Sequence, residues 1–246
     1  MIADAHAHYN DAAFDGVRED IIVNAVRQCG IIVNAGVDEE SSRGCALLAE
    51  RYGGLYAAVG IHPQHRGDVS ALAGLCAERK TVAVGETGLD YRDADVNERQ
   101  RQRELFIAQI QISKSYNLPL VIHCVNAWGD MTDILRRYRP FGIMHGFTGS
   151  AEAAAELVRM GMYISFGGRL TYDNAKKAHK ALLAVPDDRL LLETDAPFGP
   201  AAGRMGERSG WEDLGITAAF AARMRRMTEE DLVKTVNDNT ARIYEI

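Results

Sequence analysis

Eight short runs rich in valine, isoleucine and leucine recur along the 246 residues, with helical periodicity filling the gaps between them. They span 2–8, 30–36, 55–62, 81–89, 118–125, 141–147, 162–168 and 190–196. Most are continuously apolar, which is how a strand reads when both its faces are buried in a parallel sheet. The intervening segments carry apolar stripes, as at Val17, Ile21 and Val26 or at Phe106, Ile107 and Ile110. Further helical segments fall at 46–52, 72–75, 131–138, 151–159 and 175–183. Gly30, Gly142 and Gly161 stand where a helix should stop before the next strand. Eight alternating units in this length predict an α/β fold of the closed (β/α)8 TIM-barrel type. The competing architecture, an open doubly wound sheet, usually has fewer strands, and the first turn lacks a G-x-G-x-x-G fingerprint.

After Pro197 the chain changes character. PFGPAAGRMGERSG is a Gly- and Pro-rich loop, too long for a routine connection and therefore a candidate for function. Helices are expected again over 211–224 and 228–244, the second begun by Thr228 with Glu230 and Asp231 close behind. Nothing marks a second domain, so residues 1–246 read as one. The net charge of −6, without a basic tail, disfavours wrapping a polyanion but leaves open local handling of a phosphodiester. Cys29, Cys45, Cys76 and Cys124 form no CxxC pair and read as free thiols. The start, MIADAHAHYND, has no signal-peptide pattern, and no stretch reaches the ~18 apolar residues of a membrane span. The expectation is a cytoplasmic protein with no membrane partner and no obligate protein partner.

In a parallel barrel the C-terminal ends of the strands share one face, where chemistry gathers. The runs end in His6 and His8, in His62, in Glu86 through Asp90, in His123, in His145, and in Glu193 through Asp195. Residues i and i+2 of a strand point the same way, so His6 and His8 project together. A single histidine at a strand end is ordinarily a hydrogen-bonded structural residue. Four histidines and two acids, each at its own strand end, are hard to bury without a shared partner. His6, His8, Glu86, His123, His145 and Asp195 are therefore read as metal ligands. Their N/O chemistry suits Zn, Mn, Ni or Fe, and Mg less well. They exceed the needs of one tetrahedral ion and suit two bridged by a carboxylate. Asp4 is expected to orient a histidine or cap a turn, and Asp90 to support a ligand or anchor a loop. Cys124 should point away from its neighbour His123, and His179 reads as a surface residue. G-x-S-x-G, P-loop and dinucleotide motifs are all missing.

These residues resemble the TatD-type metal-dependent hydrolases, a branch related to the amidohydrolase superfamily. The resemblance runs nearly the full chain, through DAHAH at 4–8, GIHP at 60–63, GETGLD at 85–90, LPLVIH at 118–123, HGFTG at 145–149, ETDAPF at 193–198 and NTARIY at 239–244. It implies a TIM-type barrel with one or two divalent ions. His6, His8, Glu86 and Asp195 would surround one ion, and Glu86, His123 and His145 the other. It also implies phosphodiester hydrolysis, typically as a deoxyribonuclease acting at a DNA 3′ end. Two stretches depart from the family pattern. Cys124-Val125-Asn126 replaces a Ser-Arg-Asp-like segment, and 207–211 replaces an Arg-Asn-x-Pro segment.

The mechanism expected from this reading is metal-assisted hydrolysis of DNA or a small phosphoester. Catalysis is assigned to Asp195, which orients or deprotonates water, and to Glu86, which fixes the ion separation. His62, His65, Arg204 and Arg208 are the expected substrate contacts, with the arginines as phosphate clamps in the long loop. Trp128 and Trp211 are candidate stacking surfaces for a base. Two rival readings are a hydrolase of an amide, lactone or phosphotriester on the same scaffold and a non-catalytic metal-binding protein.

Overall fold

The computed structural model describes residues 1–246. One sheet holds eight parallel strands in chain order. They are β1 (Asp4–Ala7), β2 (Ile32–Ala35), β3 (Leu55–Val59), β4 (Thr81–Asp90), β5 (Leu120–Val125), β6 (Gly142–Met144), β7 (Tyr163–Phe166) and β8 (Leu190–Leu192). The helices are α1 (Arg18–Cys29), α2 (Glu39–Arg51), α3 (Leu72–Cys76), α4 (Val96–Tyr116), α5 (Trp128–Tyr138), α6 (Ala151–Arg159), α7 (Lys176–Ala184), α8 (Trp211–Arg225) and α9 (Glu229–Tyr244). The fold is a TIM barrel. Every strand lies within or one residue beyond an apolar run read from the sequence.

Local chemistry sets the boundaries. Asp38, Asp95 and Thr228 each accept a backbone N–H three residues on, starting α2, α4 and α9. Gly30 ends α1 with φ 77°. Gly142 corrects its expected role. Helix α5 stops earlier, at the left-handed Arg139, and Gly142 sits in β6, where a Cβ would lie 2.3 Å from Leu120 O. That glycine serves close strand packing.

The inside of the barrel is layered. Val33, Ala58, Val121, Ile143 and Leu191 belong to one buried cluster that Ile243 and Tyr244 of α9 join. Two residues further along, on the same face, stand His123, His145 and Glu193. An apolar plug thus fills one end of the barrel and a polar layer the other. A second, larger cluster packs the outer faces of the strands against the helices.

The seam between β1 and β8 is closed in an unusual way. Asp195 N donates to His6 O at 3.0 Å and His8 N to Ala196 O at 2.7 Å. Nearer the plug, the fully buried Asp4 takes over: its Oδ1 accepts from Thr194 N at 2.9 Å and its Oδ2 from Thr194 Oγ1 at 2.7 Å. Burial pushes the Asp4 carboxyl up to about 7. Asp4 thus joins strand to strand and holds no imidazole, contrary to the first of its two expected roles.

The long loop after β8 is pinned down. Ser209 Oγ donates to Thr194 O, Tyr172 Oη to Pro200 O, and Ala201 N to Asp213 Oδ1. No helix is long and apolar enough to cross a membrane.

Candidate metal centre

Glu86 sits between two groups of nitrogen donors. Its Oε2 lies 3.2 Å from His8 Nε2 and 3.6 Å from His6 Nε2. Its Oε1 lies 2.9 Å from both His123 Nδ1 and His145 Nε2. On the first side Asp195 Oδ1 comes within 3.4 Å of His6 Nε2 and 3.5 Å of His8 Nε2, which are themselves 3.0 Å apart. On the second side His123 Nδ1 and His145 Nε2 are 3.4 Å apart.

These spacings fit divalent ions. Donor atoms held about 2.0–2.2 Å from a common ion stand roughly 3–3.5 Å from one another. Two imidazole nitrogens 3.0 Å apart and buried from water make that fit chemically specific. The partners of the far ring nitrogens decide which atom faces the centre. His8 Nδ1 donates to Ala35 O at 2.9 Å, leaving its Nε2 as the atom that faces Glu86 and Asp195. His123 Nε2 lies 3.2 Å from Asp90 Oδ2, leaving Nδ1 for the centre. Asp90 is itself clasped by Arg92.

The charges point the same way. Burial alone would raise Glu86 and Asp195. The imidazoles around Glu86 hold it well below the usual carboxylate range, and His6 and His8 hold Asp195 down. Burial opposes charge on His8 as well, yet Asp195 and Glu86 carry it up to about 10. His145 is raised well above an ordinary histidine by Glu86 and Glu193 despite its burial. His6 moves the other way, lowered by burial and by His145. Two ionised carboxylates among buried imidazoles make a centre that draws positive charge.

All six residues read as ligands therefore converge. His62 joins them in a different capacity. Gln64 N donates to His62 Nδ1 at 3.2 Å, so the proton of the neutral ring sits on Nε2, 3.5 Å from Glu86 Oε1. Burial keeps the ring neutral by lowering its pKa to about 3. His62 therefore turns a neutral N–H, not a lone pair, toward Glu86.

Other expected contacts are engaged elsewhere. His65 is partly exposed and pairs with Asp38 at 3.3 Å. Arg204 lies 3.1 Å from Asp213 Oδ2 and 3.0 Å from Glu207 Oε2, while Arg208 donates to Ala13 O and covers the Phe14 ring. Both arginines anchor the loop in this arrangement. Trp128 packs edge-on against Phe147 and Trp211 lies against the main core, both half-buried. His179 departs from its surface reading: it is half-buried, hydrogen-bonded to Leu170 O and stacked beside Phe220. All four cysteines are free, and burial raises each thiol.

Glu193, named among the run ends, carries no expected role from the sequence. It is fully buried, accepts from Gly146 N at 2.6 Å and lies 3.6 Å from His145 Nδ1. Its signal was the alternation Leu191, Glu193, Asp195, which places an acid on the inward face beneath a ligand.

Comparison with known proteins agrees with the geometry. The family described as TatD related DNase matches residues 3–245. The metal-dependent hydrolase YabD of Bacillus subtilis is 36% identical over 255 residues, covering 100% of both chains. A 3′-5′ ssDNA/RNA exonuclease TatD of Cronobacter turicensis is 33% identical over 207 residues, covering 79% of this chain and 78% of that one. The structure of the TatD homologue YjjV from Escherichia coli K12 superposes with a TM-score of 0.92 at 31% identity, over 100% of this chain and 98% of that one. With the barrel, its donor residues and these relatives in agreement, the chain belongs to the TatD related DNase family of metal-dependent hydrolases.

Proposed function

We propose that the chain is a divalent-metal-dependent phosphodiesterase that shortens DNA from its 3′ end. The observation that carries this reading is Glu86, one buried carboxylate offering each of its oxygens to a separate donor group. His6, His8, Glu86 and Asp195 would hold one ion, and Glu86, His123 and His145 a second. The donor set favours Zn, Mn or Ni over Mg, because imidazole is a softer ligand than Mg prefers. Ions bound there would supply a hydroxide nucleophile near neutral pH and polarise a phosphoryl oxygen.

The protein's own groups do the rest. Asp195 has the most open side chain of these ligands, at 27% exposure, and it is ionised. It orients the attacking water and accepts its proton. His62 offers its Nε2–H to the phosphate or to the departing oxygen. Asp90 holds the His123 ring in place and Glu193 backs that of His145. The name of the Cronobacter relative supports a nucleic-acid substrate. A chain of net charge −6 suits chemistry at a local strand end better than wrapping of a duplex.

The test begins with protein stripped by chelator and reloaded separately with Zn, Mn, Ni or Mg. Single-stranded DNA labelled at the 5′ end should shorten as a ladder from the 3′ end, and a 3′-terminal phosphorothioate should slow it. Turnover of a lactone or an amide with no cleavage of any phosphodiester would overturn the reading. The occupation of Arg204 and Arg208 by loop contacts makes that comparison worth running.

A further inference from the structure

The lip between β7 and β8 carries two side chains that neither the donor groups nor the core accounts for. Phe198 follows Asp195 by three residues in a turn closed by Phe198 N donating to Asp195 O at 2.7 Å. Its ring is 49% exposed, yet its centroid lies only 5.9 Å from that of His8. An aromatic ring held half in water one ring away from a metal-ligating histidine is a surface waiting for a flat partner.

Arg169 stands across from it in the short turn after β7. Cations around the mouth are otherwise engaged: Arg18 with Asp15, Arg92 with Asp90, Arg204 with Asp213. Arg169 is exposed and makes no ion pair or side-chain hydrogen bond. Its stem lies along the Gly199 backbone, where a Cβ would sit 3.3 Å from Arg169 Nε. Gly199 has φ 58°, so glycine serves both the turn and the seat of the guanidinium. Between the two loops a slot lined by Gly146, Thr148, Gly168, Arg169 and Gly199 leads to Asp195.

We propose that Phe198 and Arg169 form a nucleotide-positioning lip, Phe198 stacking on a base and Arg169 pairing with a neighbouring, unreacted phosphate. The inference rests on the phosphodiester reading and names how that substrate is recognised. A single-stranded end presents both groups together, an aromatic face and an anion.

The experiment uses the full chain and the variants Phe198→Ala, Arg169→Ala and Arg169→Lys. Binding of a fluorescent single-stranded oligonucleotide to chelator-treated protein is followed by anisotropy across a salt series. Metal-reloaded enzyme is then assayed on three substrates: the same oligonucleotide, one ending in an abasic residue, and methyl 4-nitrophenyl phosphate. Phe198→Ala should weaken binding and raise KM for the base-bearing end about tenfold, and erase its advantage over the abasic end. Arg169→Ala should flatten the slope of log Kd against log salt by about 0.7, the value for one lost phosphate contact on a single strand. Arg169→Lys should restore that slope. In each alanine variant the loss should be larger on the oligonucleotide than on the small ester.

Variants that bind with wild-type affinity and salt slope overturn the lip, as does an equal loss on all three substrates. Wild-type protein that fails to bind the oligonucleotide also overturns it. Wild-type protein that cleaves no phosphodiester overturns the proposed function itself, which the binding arm keeps separate.

Discussion

The two donor groups flanking Glu86 are built differently. His6, His8 and Asp195 come from β1 and the end of β8, strands at opposite ends of the barrel's chain order. His8 is oriented by a main-chain carbonyl, and His6 Nδ1 has no partner. His123 and His145 come from the adjacent strands β5 and β6; Asp90 bonds the His123 ring from behind at 3.2 Å, while Glu193 lies 3.6 Å from His145 Nδ1, which has no hydrogen-bond partner. A carboxylate behind an imidazole fixes the ring and makes it a stronger base. The same residue type therefore meets two environments, one neutral and one anionic, on either side of a single shared acid. The lesson is that two histidine pairs flanking one shared acid need not bind two equal ions.

The largest expected effect removes the feature the groups share. Glu86→Ala should lower kcat/KM roughly a thousandfold or more and reduce bound metal at both groups, read by elemental analysis. Wild-type turnover with unchanged metal content would end the bridging role. The next effect separates the groups. Asp90→Asn should weaken metal binding or activity about 10- to 100-fold, and in a chelator titration the loss should fall on one equivalent of metal. If both equivalents weakened together, the difference in backing would carry no consequence.

Asp4→Ala tests the seam beneath the first group. It leaves Thr194 N and Oγ1 without their buried acceptor, so stability should drop by about 2 kcal/mol in a urea titration. The smallest effect belongs to residues outside both groups. Burial pushes the Cys76 thiol up to about 12, so labelling by iodoacetamide at pH 7.5 should be slow. It should speed up as pH rises toward that value, because only the thiolate reacts. Metal content should not change meanwhile.

The sequence made the barrel legible because buried parallel strands leave continuous apolar runs and the helices between them leave a different period. It made the six candidate ligands legible because their residue types are costly to bury and all fall where runs end. His62 could be placed at the rim, but its role turns on which ring nitrogen receives the Gln64 N–H, and that needs coordinates. Arg204 and Arg208 looked free because loop composition does not say which acid or carbonyl will capture a cation. Phe198 was hidden for the opposite reason: within ETDAPF it reads as one more apolar residue, and only the fold shows it facing water. Asp4 reads as an orienting or capping residue because its neighbours are candidate ligands, whereas its partner lies 190 residues away.

That separation has a consequence for how the protein is made. His6 and His8 are synthesised long before Asp195, and the groove that receives them stays incomplete until Asp195 has followed. A growing chain can offer stray ions only loose, partial handholds. The full grip arrives late, when the last strand reaches the first and Thr194 meets Asp4. Loading with metal should therefore report that the circle has closed, and a chain interrupted before β8 should leave synthesis without it.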